Sequence, residues 1–270
     1  MKLIDLSVML DENDKSEEIK TKIKYIPHNR GAFLLGLSLM FKRNQSNFKK
    51  VIQVILNLCR GNFLNKHSFL NHSGLSTEFL SLSSHSGTHI DSPYHYSEFG
   101  KKISDSELDI FYNKGILLDF STRELSTPVR LEELKKYLLL NDISLSPCNI
   151  VLIHTGASRN YGTERYRSEY FGVEEKVIEF LLKSGIKVIG TDAFSLDQPF
   201  DYMEKKYMES NDSHELWPIH MLGSKYNFYM IEKLYNLDKL RGIKEFDVIA
   251  FPIKIKGASA AWSRVVAVVR

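Results

Sequence analysis

The sequence of 270 residues predicts a single α/β domain, on two observations. Short apolar segments rich in β-branched residues alternate with amphipathic helical segments, and over residues 173–193 a helix, Gly185 and a strand follow one another, as in parallel αβ units. The composition, 43% hydrophobic and 26% charged, is ordinary for a globular protein, and the chain contains no internal repeat or low-complexity linker.

The first predicted strand is residues 3–10, LIDLSVML, because its apolar residues are bounded by an acidic turn at residues 11–14. A less regular, partly helical interval follows at about residues 15–75. Within it, residues 47–59, NFKKVIQVILNLC, place apolar side chains at helical spacing, which predicts an amphipathic helix. Its apolar face could pack in the core of the same domain, or it could line a lid or a subunit contact.

The second half of the chain carries the clearest alternation of elements. The predicted strands are residues 115–120, 149–156, 186–193, 246–257 and 264–270. The predicted helices are residues 129–140 and 173–184. We expect the last two strands to pair with each other, and His154 to be a buried histidine with hydrogen-bond partners.

Composition limits the class of protein. The formal net charge of +3 gives no reason to expect a nucleic-acid partner, and no apolar run is long enough to span a membrane. Two cysteines, Cys59 and Cys148, are too few for a disulfide framework. Residues 1–14 turn acidic where a signal peptide would be apolar. We therefore expect a cytoplasmic enzyme acting on a small molecule.

Residues 84–96, SHSGTHIDSPYHY, gather polar side chains at a spacing that chance rarely gives. His85, His89, Asp91 and His95 all have odd numbers, and side chains of equal parity share one face of an extended segment. Gly87 would leave open space on that face. The segment is therefore predicted to be a strand that runs into a bend at Pro93.

These side chains are suited to a metal ion. Imidazole nitrogens and a carboxylate bind zinc or manganese, and three protein ligands leave positions for water and substrate. The alternative is that the histidines are surface or hydrogen-bonded loop residues. The combination favours the metal site.

The segment HSGTHIDSPYH resembles the H-x-G-T-H-x-D-x-P-x-H signature of the metal-dependent cyclase-like hydrolases, which include kynurenine formamidases and isatin hydrolases. Every specified position matches. The resemblance implies a swivelling β/β/α fold with a barrel-like mixed sheet, and a homodimer or other homo-oligomer. The interval at 15–75 is longer than the family pattern implies.

Two further segments extend the resemblance. His220 and Glu232 have the separation of a histidine and a glutamate in the family, which implies that both are metal ligands; His214 is the rival histidine. Residues 190–197 resemble a family segment through Gly190, Asp192, Ser195 and Asp197. Asp192 and Ser195 are thus expected near the site, although such residues often only form turns.

The sequence GASAAWSR resembles the glycine-rich return of the family, but Trp262 stands where proline is usual. Trp262 is expected to form part of the pocket wall. Arg264 is a candidate for orienting an anionic group through its planar guanidinium, with a structural ion pair as the alternative.

The expected chemistry follows from this set of residues. A metal held by His85, His89 and Asp91 would lower the pKa of bound water from about 15.7 toward about 7. Asp91 could bridge to a second ion held by His220 and Glu232, so that one or two ions bind per subunit. His95 would then shuttle protons.

The sequence thus predicts a hydrolase of a non-peptide carbon–nitrogen bond, with an aryl formamide such as N-formylkynurenine as the leading substrate. One alternative is a specialised cyclase or lactam hydrolase of a biosynthetic pathway. Another is a protein that binds metal without catalysis, which His95 argues against because a structural site has no use for a spare acid–base residue.

Overall fold

A computed structural model describes residues 1–40, 47–61, 63–123, 127–146 and 150–270. Cys148 and residue 149 lie outside the described residues. The described strands are β1 (Lys2–Asp5), β2 (Lys22–Ile26), β3 (Thr77–Ser81), β4 (His89–Asp91), β5 (Tyr112–Asp119), β6 (Ile150–His154), β7 (Val188–Thr191), β8 (Tyr229–Glu232), β9 (Asp247–Ile249), β10 (Ala260–Trp262) and β11 (Val266–Val269). The described α-helices are α1 (His28–Met40), α2 (Asn47–Cys59), α3 (Pro93–Tyr96), α4 (Leu131–Leu140), α5 (Glu175–Lys183), α6 (Phe200–Ser210) and α7 (Pro218–Met221).

The chain divides into two compact units. The main unit comprises Met1–Thr21 and Leu82–Arg270, and the small unit comprises Lys22–Ser81. The expectation that residues 1–270 form one domain stays a prediction.

A curled nine-stranded mixed sheet organises the main unit, in the order β1-β11-β9-β5-β6-β7-β8-β4-β10. Strands β5 to β8 are parallel, and the strands on both sides of them are antiparallel. This confirms the predicted α/β class and barrel-like mixed sheet. The parallel strands place their carboxyl ends at one edge, where ligand sites commonly form.

Side-chain alternation along β6 explains why both faces of this sheet are covered. Val151 and Ile153 belong to one buried apolar cluster, which α4 and α5 supply with side chains such as Leu134 and Leu181. Ile150 and Leu152 belong to a second cluster on the other face. Since successive strand residues point to opposite faces, β6 is apolar on both faces up to His154, its last residue.

The small unit contains the antiparallel pair β2–β3 and helices α1 and α2. Helix α2 spans the predicted residues, so that prediction is confirmed. None of its residues is buried, and Val51, Ile52, Ile55, Leu56 and Leu58 are between 41% and 54% exposed. The first alternative for its apolar face, packing in the core of its own unit, is therefore not what the structure shows.

Several predicted strands begin and end differently in the structure. The first strand stops at Asp5 because its pairing with β11 ends there, and beyond it only Ser7 makes an isolated bridge, to Leu234. The two late strands pair as predicted, but only through β9 and β11. None of the helices in the described parts of the chain has the length and apolar character needed to cross a bilayer.

Candidate metal centre

Strand β4 brings the central ligand candidates together because it lies between β8 and β10. His89 is directly opposite Glu232 in the antiparallel register, and Ile90 is opposite Ile231. The two isoleucines belong to the second apolar cluster. Side chains alternate across a strand, so His89, Asp91 and Glu232 point to the other face, where directly opposite residues lie side by side.

The rest of the motif is not extended, so the prediction of a continuous strand over it was wrong. Only His89–Asp91 is strand; Gly87 has a φ of 63°, which turns the chain before it. A Cβ at Gly87 would lie 2.6 Å from Cδ2 of Leu10, so the space beside it is filled rather than open. After Ser92, Pro93 begins helix α3, which carries His95.

The side chains of the motif nevertheless converge. Nδ1 of His85 lies 2.9 Å from Oδ1 of Asp91, and Nε2 of His89 lies 3.3 Å from the same oxygen. Nε2 of His89 is also 3.6 Å from Oε2 of Glu232. The His85 and His95 rings are 4.3 Å apart between centroids. Separate turns and strands thus bring five predicted residues into one cluster.

The buried atoms of this cluster fit a cation. Nε2 of His89, both carboxylate oxygens of Asp91 and Oε1 of Glu232 make no contact with hydrogen-bond geometry among the described residues, although two imidazole nitrogens lie close to Oδ1 of Asp91. Nδ1 of His89 lies 2.8 Å from the carbonyl oxygen of Gly87, which assigns the ring proton to Nδ1 and leaves the Nε2 lone pair facing the carboxylates. Unpaired acceptors in a buried site are costly, and a divalent metal ion would satisfy all of them.

Two groups of potential ligands share Asp91. One is His85, Asp91 and His95, and the other is His89, Asp91 and Glu232. Within each group the ligand atoms lie within 4.8 Å of one another. A carboxylate common to two groups has the arrangement needed to bridge two ions. Which residues bind which ion, and whether His95 is a ligand or a proton shuttle, stay predictions.

His220 joins the cluster from helix α7. Its ring centroid lies 5.3 Å from that of His95. Nδ1 of His220 donates to Oδ2 of Asp197 at 2.6 Å, so its Nε2 is left free to bind. Although burial lowers the pKa of His220, the hydrogen bond and charge of Asp197 raise it to about 9.

The two carboxylates differ in their ionisation. Burial and the neighbouring charge of Asp91 raise the pKa of Glu232. Burial also disfavours the charged form of Asp91, but the imidazoles of His89 and His85 outweigh it and hold the pKa of Asp91 well below its usual range. Two carboxylates this close repel each other, and a cation between them would remove the repulsion.

His95 differs from the other histidines. It is exposed on one side of the cluster, and desolvation of its ring together with the charges of His85 and His220 lowers its pKa to about 4, against the opposing charge of Asp91. The imidazole is therefore neutral at pH 7.

The four residues predicted to support the site lie in different surroundings. Asp192 is buried and accepts hydrogen bonds from Thr155 and Ser158, so it holds the turn after β6. Oγ of Ser195 accepts a hydrogen bond from the backbone of Asp197. Ser195 thus contacts Asp197, which binds the His220 ring, whereas the contacts of Asp192 are with the turn after β6.

Trp262 and Arg264 follow the glycine-rich return. Trp262 is opposite His89 in β10, and its Nε1 donates to the carbonyl of Ser83 at 2.8 Å. The Arg264 side chain is 79% exposed and pairs with Asp5 at 2.7 Å. Among the described residues, Arg264 makes this ion pair at the surface and no contact with the histidine cluster. The structure therefore shows the structural ion pair that was the alternative for Arg264.

Sequence reasoning missed the role of Asp197. It was part of the family resemblance, but nothing local shows that its carboxylate reaches across 23 positions to His220. Besides Nδ1 of His220, it accepts the backbone N–H of Ile219 at 2.8 Å, and so fixes the start of α7 and the ring together.

With the fold and the cluster defined, the chain can be placed in a family. Residues 4–198 match the family model Cyclase, described as "Putative cyclase", and the chain belongs to this family. A kynurenine formamidase of Erythrobacter litoralis (strain HTCC2594) is 27% identical over 187 residues, which cover 69% of this chain and 74% of that protein.

Solved structures share the fold. An isatin hydrolase bound to the product analogue thioisatinate has a TM-score of 0.71 at 17% identity, over 99% of this chain and 92% of that one. A structure described as a potential metal-dependent hydrolase with cyclase activity has a TM-score of 0.61 at 18% identity, over 100% of this chain and 98% of that one. The family model confirms the predicted family, and these structures confirm the predicted architecture.

Proposed function

We propose that this protein is a metal-dependent hydrolase of a non-peptide carbon–nitrogen bond, with aryl formamides as its substrate class and N-formylkynurenine as the leading substrate. The observation that carries the proposal is the set of unpaired buried ligand atoms on His89, Asp91 and Glu232 in a member of this family. The kynurenine formamidase relative supports the choice of substrate class.

The residues of the cluster divide the work. A divalent ion at the site supplies activation of water and polarisation of the substrate carbonyl. Asp197 holds the His220 ring in one orientation, and Gly87 does the same for His89. His95 is neutral at pH 7, so its ring can accept a proton from the attacking water and return it to the departing amine.

The test is release of formate from N-formylkynurenine by protein purified without a metal-binding tag, chelated and then reloaded with zinc or manganese. We expect turnover only in the reloaded samples, on the order of 1 to 1,000 per second. Isatin and other lactams serve as the comparison. Hydrolysis of a lactam at a higher rate than of the formamide would replace the proposed substrate, and full activity after chelation would reject metal dependence.

The role of His95 can be tested separately. If His95 shuttles protons, His95→Ala lowers kcat by about 10²- to 10⁴-fold while metal content stays unchanged. Elemental analysis of the same samples provides the control. Loss of bound metal in that variant would make His95 a ligand instead, as its place beside His85 and Asp91 also allows.

Zinc or manganese is the proposed metal, with one or two ions per subunit, because the ligand candidates are imidazoles and carboxylates.

We propose a homo-oligomer, which the exposed apolar face of α2 supports. A cytoplasmic location is also proposed, since the exposed Cys59 thiol is free and fits a reducing compartment.

A further inference from the structure

Lys233 is a buried cation directly beside the candidate ligand Glu232. Its side chain is only 4% exposed, and its Nζ donates to Oε2 of Glu17 at 2.7 Å and to the carbonyl of His85 at 2.9 Å. The same nitrogen lies 4.4 Å from the centre of the Phe194 ring. One side chain thus joins the end of β8 to the loop that presents the first histidine of the motif.

A second set of contacts fastens the same loop. Oε1 of Glu17 accepts the backbone N–H of Gly87 at 2.7 Å. The carbonyl of Lys233 accepts the hydroxyl of Thr88 at 2.6 Å. We call Glu17, Lys233 and the backbone of residues 85–88 that they hold the lysine clamp.

The clamp is costly to form. Both side chains of the ion pair are buried, at 4% and 7% exposure, and such a pair loses more hydration than an exposed one. Lys233 also has a φ of 58°, a left-handed conformation that a residue with a side chain adopts only when its surroundings impose it. Strained residues of this kind cluster at functional sites.

Its charge alone would oppose a metal site, because a cation beside a cation site is repulsive. Glu17 neutralises that charge, so any favourable effect of Lys233 on metal binding comes from the geometry of its contacts. Through its carbonyl and its amine, Lys233 fixes the loop bearing His85 relative to the strand end bearing Glu232. Ligands must be held to a fraction of an ångström for tight metal binding.

We propose that Lys233, held by Glu17, is a positioning residue that sets the distance between the His85 loop and Glu232 and thereby the metal affinity of the site. This inference rests on the proposed metal-dependent function. Glu17 and Lys233 thus acquire a role in the site although neither belongs to the two groups of potential ligands.

The experiment measures zinc affinity of metal-free protein by competition with a chromophoric chelator, below the unfolding temperature. Lys233→Met keeps the length of the side chain and removes the amine. Lys101→Met is the matched control, since the Lys101 side chain makes a 2.8 Å pair with Glu107 that is exposed and includes none of the clamp residues. Glu17→Ala breaks the clamp from its other end and serves if Lys233→Met does not fold.

We expect Lys233→Met and Glu17→Ala each to weaken zinc binding at least tenfold, and Lys101→Met to leave it unchanged. The visible absorption of the cobalt-loaded protein should also change in both clamp variants, because the ligand geometry changes. A merely structural lysine would lower the melting temperature of the metal-free protein and leave both readings as they were.

An increase in zinc affinity on Lys233→Met would point to a different role for the lysine. If Lys233 acted only through its charge, Lys233→Met would bind zinc more tightly, and that result or an unchanged affinity would overturn the inference. Another outcome is that the wild-type protein binds zinc and hydrolyses the substrate with a zinc affinity equal to that of the clamp variants. That outcome would reject the role of the clamp and leave the proposed function standing. A wild-type protein that binds neither zinc nor manganese would reject the proposed function, and the clamp with it.

Discussion

At the residue scale, the hydrogen bond between Asp197 and His220 is the contact we expect to matter most outside the ligands themselves. Asp197→Asn keeps the shape of the side chain but removes the charge that orients and polarises the ring. Metal affinity should fall about 10- to 100-fold. Chelator competition measures this loss.

The matched control is Asp212→Asn, since Asp212 accepts the backbone N–H of His214 at 2.9 Å in an exposed turn. Its metal affinity should equal that of the wild type. Equal affinities in Asp197→Asn and the wild type would show that the charge of Asp197 does not support metal binding through His220.

The raised pKa of His220 gives a prediction about pH. The pKa of His220 in the metal-free protein is about 9. Below pH 9 its ring therefore holds a proton that a metal ion must displace. Metal affinity should therefore rise about tenfold per pH unit from pH 7 toward 9 for that one proton, and then level off. Calorimetry in buffers of different protonation enthalpy counts the protons released.

The free energy of unfolding of the metal-free protein should fall as pH rises, whereas its metal affinity should rise. A histidine whose folded-state pKa exceeds its unfolded value of 6.5 contributes stability that is full below that value and is lost as pH rises through about 9. Chemical denaturation at pH 6.5 and pH 9 measures the difference. Metal affinity that falls on going from pH 7 to 9 would contradict the assignment of His220 as a ligand.

At the element scale, the close contact between β5 and the residue before β9 gives a stability prediction. A Cβ at Gly115 would lie 2.1 Å from Cε2 of Phe246, which is itself buried. Gly115→Ala should lower the free energy of unfolding by about 1–3 kcal/mol through overpacking. Urea denaturation measures the change.

A smaller side chain at position 246 should offset the destabilisation caused by Gly115→Ala. The double variant Gly115→Ala with Phe246→Leu should recover part of the free energy that Gly115→Ala alone removes, because the ring that clashes is gone. A double variant that is destabilised by the sum of the two single changes would show that the clash is not the cause.

The elements also show what the sequence could and could not predict. Strands β6 and β7 are buried throughout and begin with β-branched apolar residues, so their pattern was visible without the structure. Strands β2 and β3 were missed because their residues are mostly exposed, and KIKYI and TEFLS show no buried face to reveal them. Gly87 was misjudged because its positive φ cannot be read from residue parity.

The site shows the same division between local and distant information. His85, His89, Asp91 and His95 were predictable because they lie within eleven residues of one another. Lys233 reaches Glu17 across 216 positions, and Ser259 reaches His85 across 174. Such contacts depend on the sheet order, which no local pattern contains.

At the scale of the whole molecule, metal binding should stabilise the fold. Because the proposed ligands come from the turn before β4, from β4 itself, from α7 and from β8, they are brought together only when the main unit is folded. A ligand that binds only the folded state at a hundred times its Kd adds about 2.7 kcal/mol to the free energy of unfolding. Thermal unfolding with and without zinc tests this, and an unchanged midpoint at saturating zinc would contradict it.

The register between β4 and β8 also limits the changes that this chain can tolerate. His89 faces Glu232 across a hydrogen-bonded ladder, so deleting one residue within β8 would place Ile231 or Lys233 opposite the histidine and turn the carboxylate to the far face of the sheet. Helix α6 (Phe200–Ser210) carries no ligand candidate and joins no ladder. Over evolutionary time, lengthening there is tolerable, whereas the two short strands can change only by substitution.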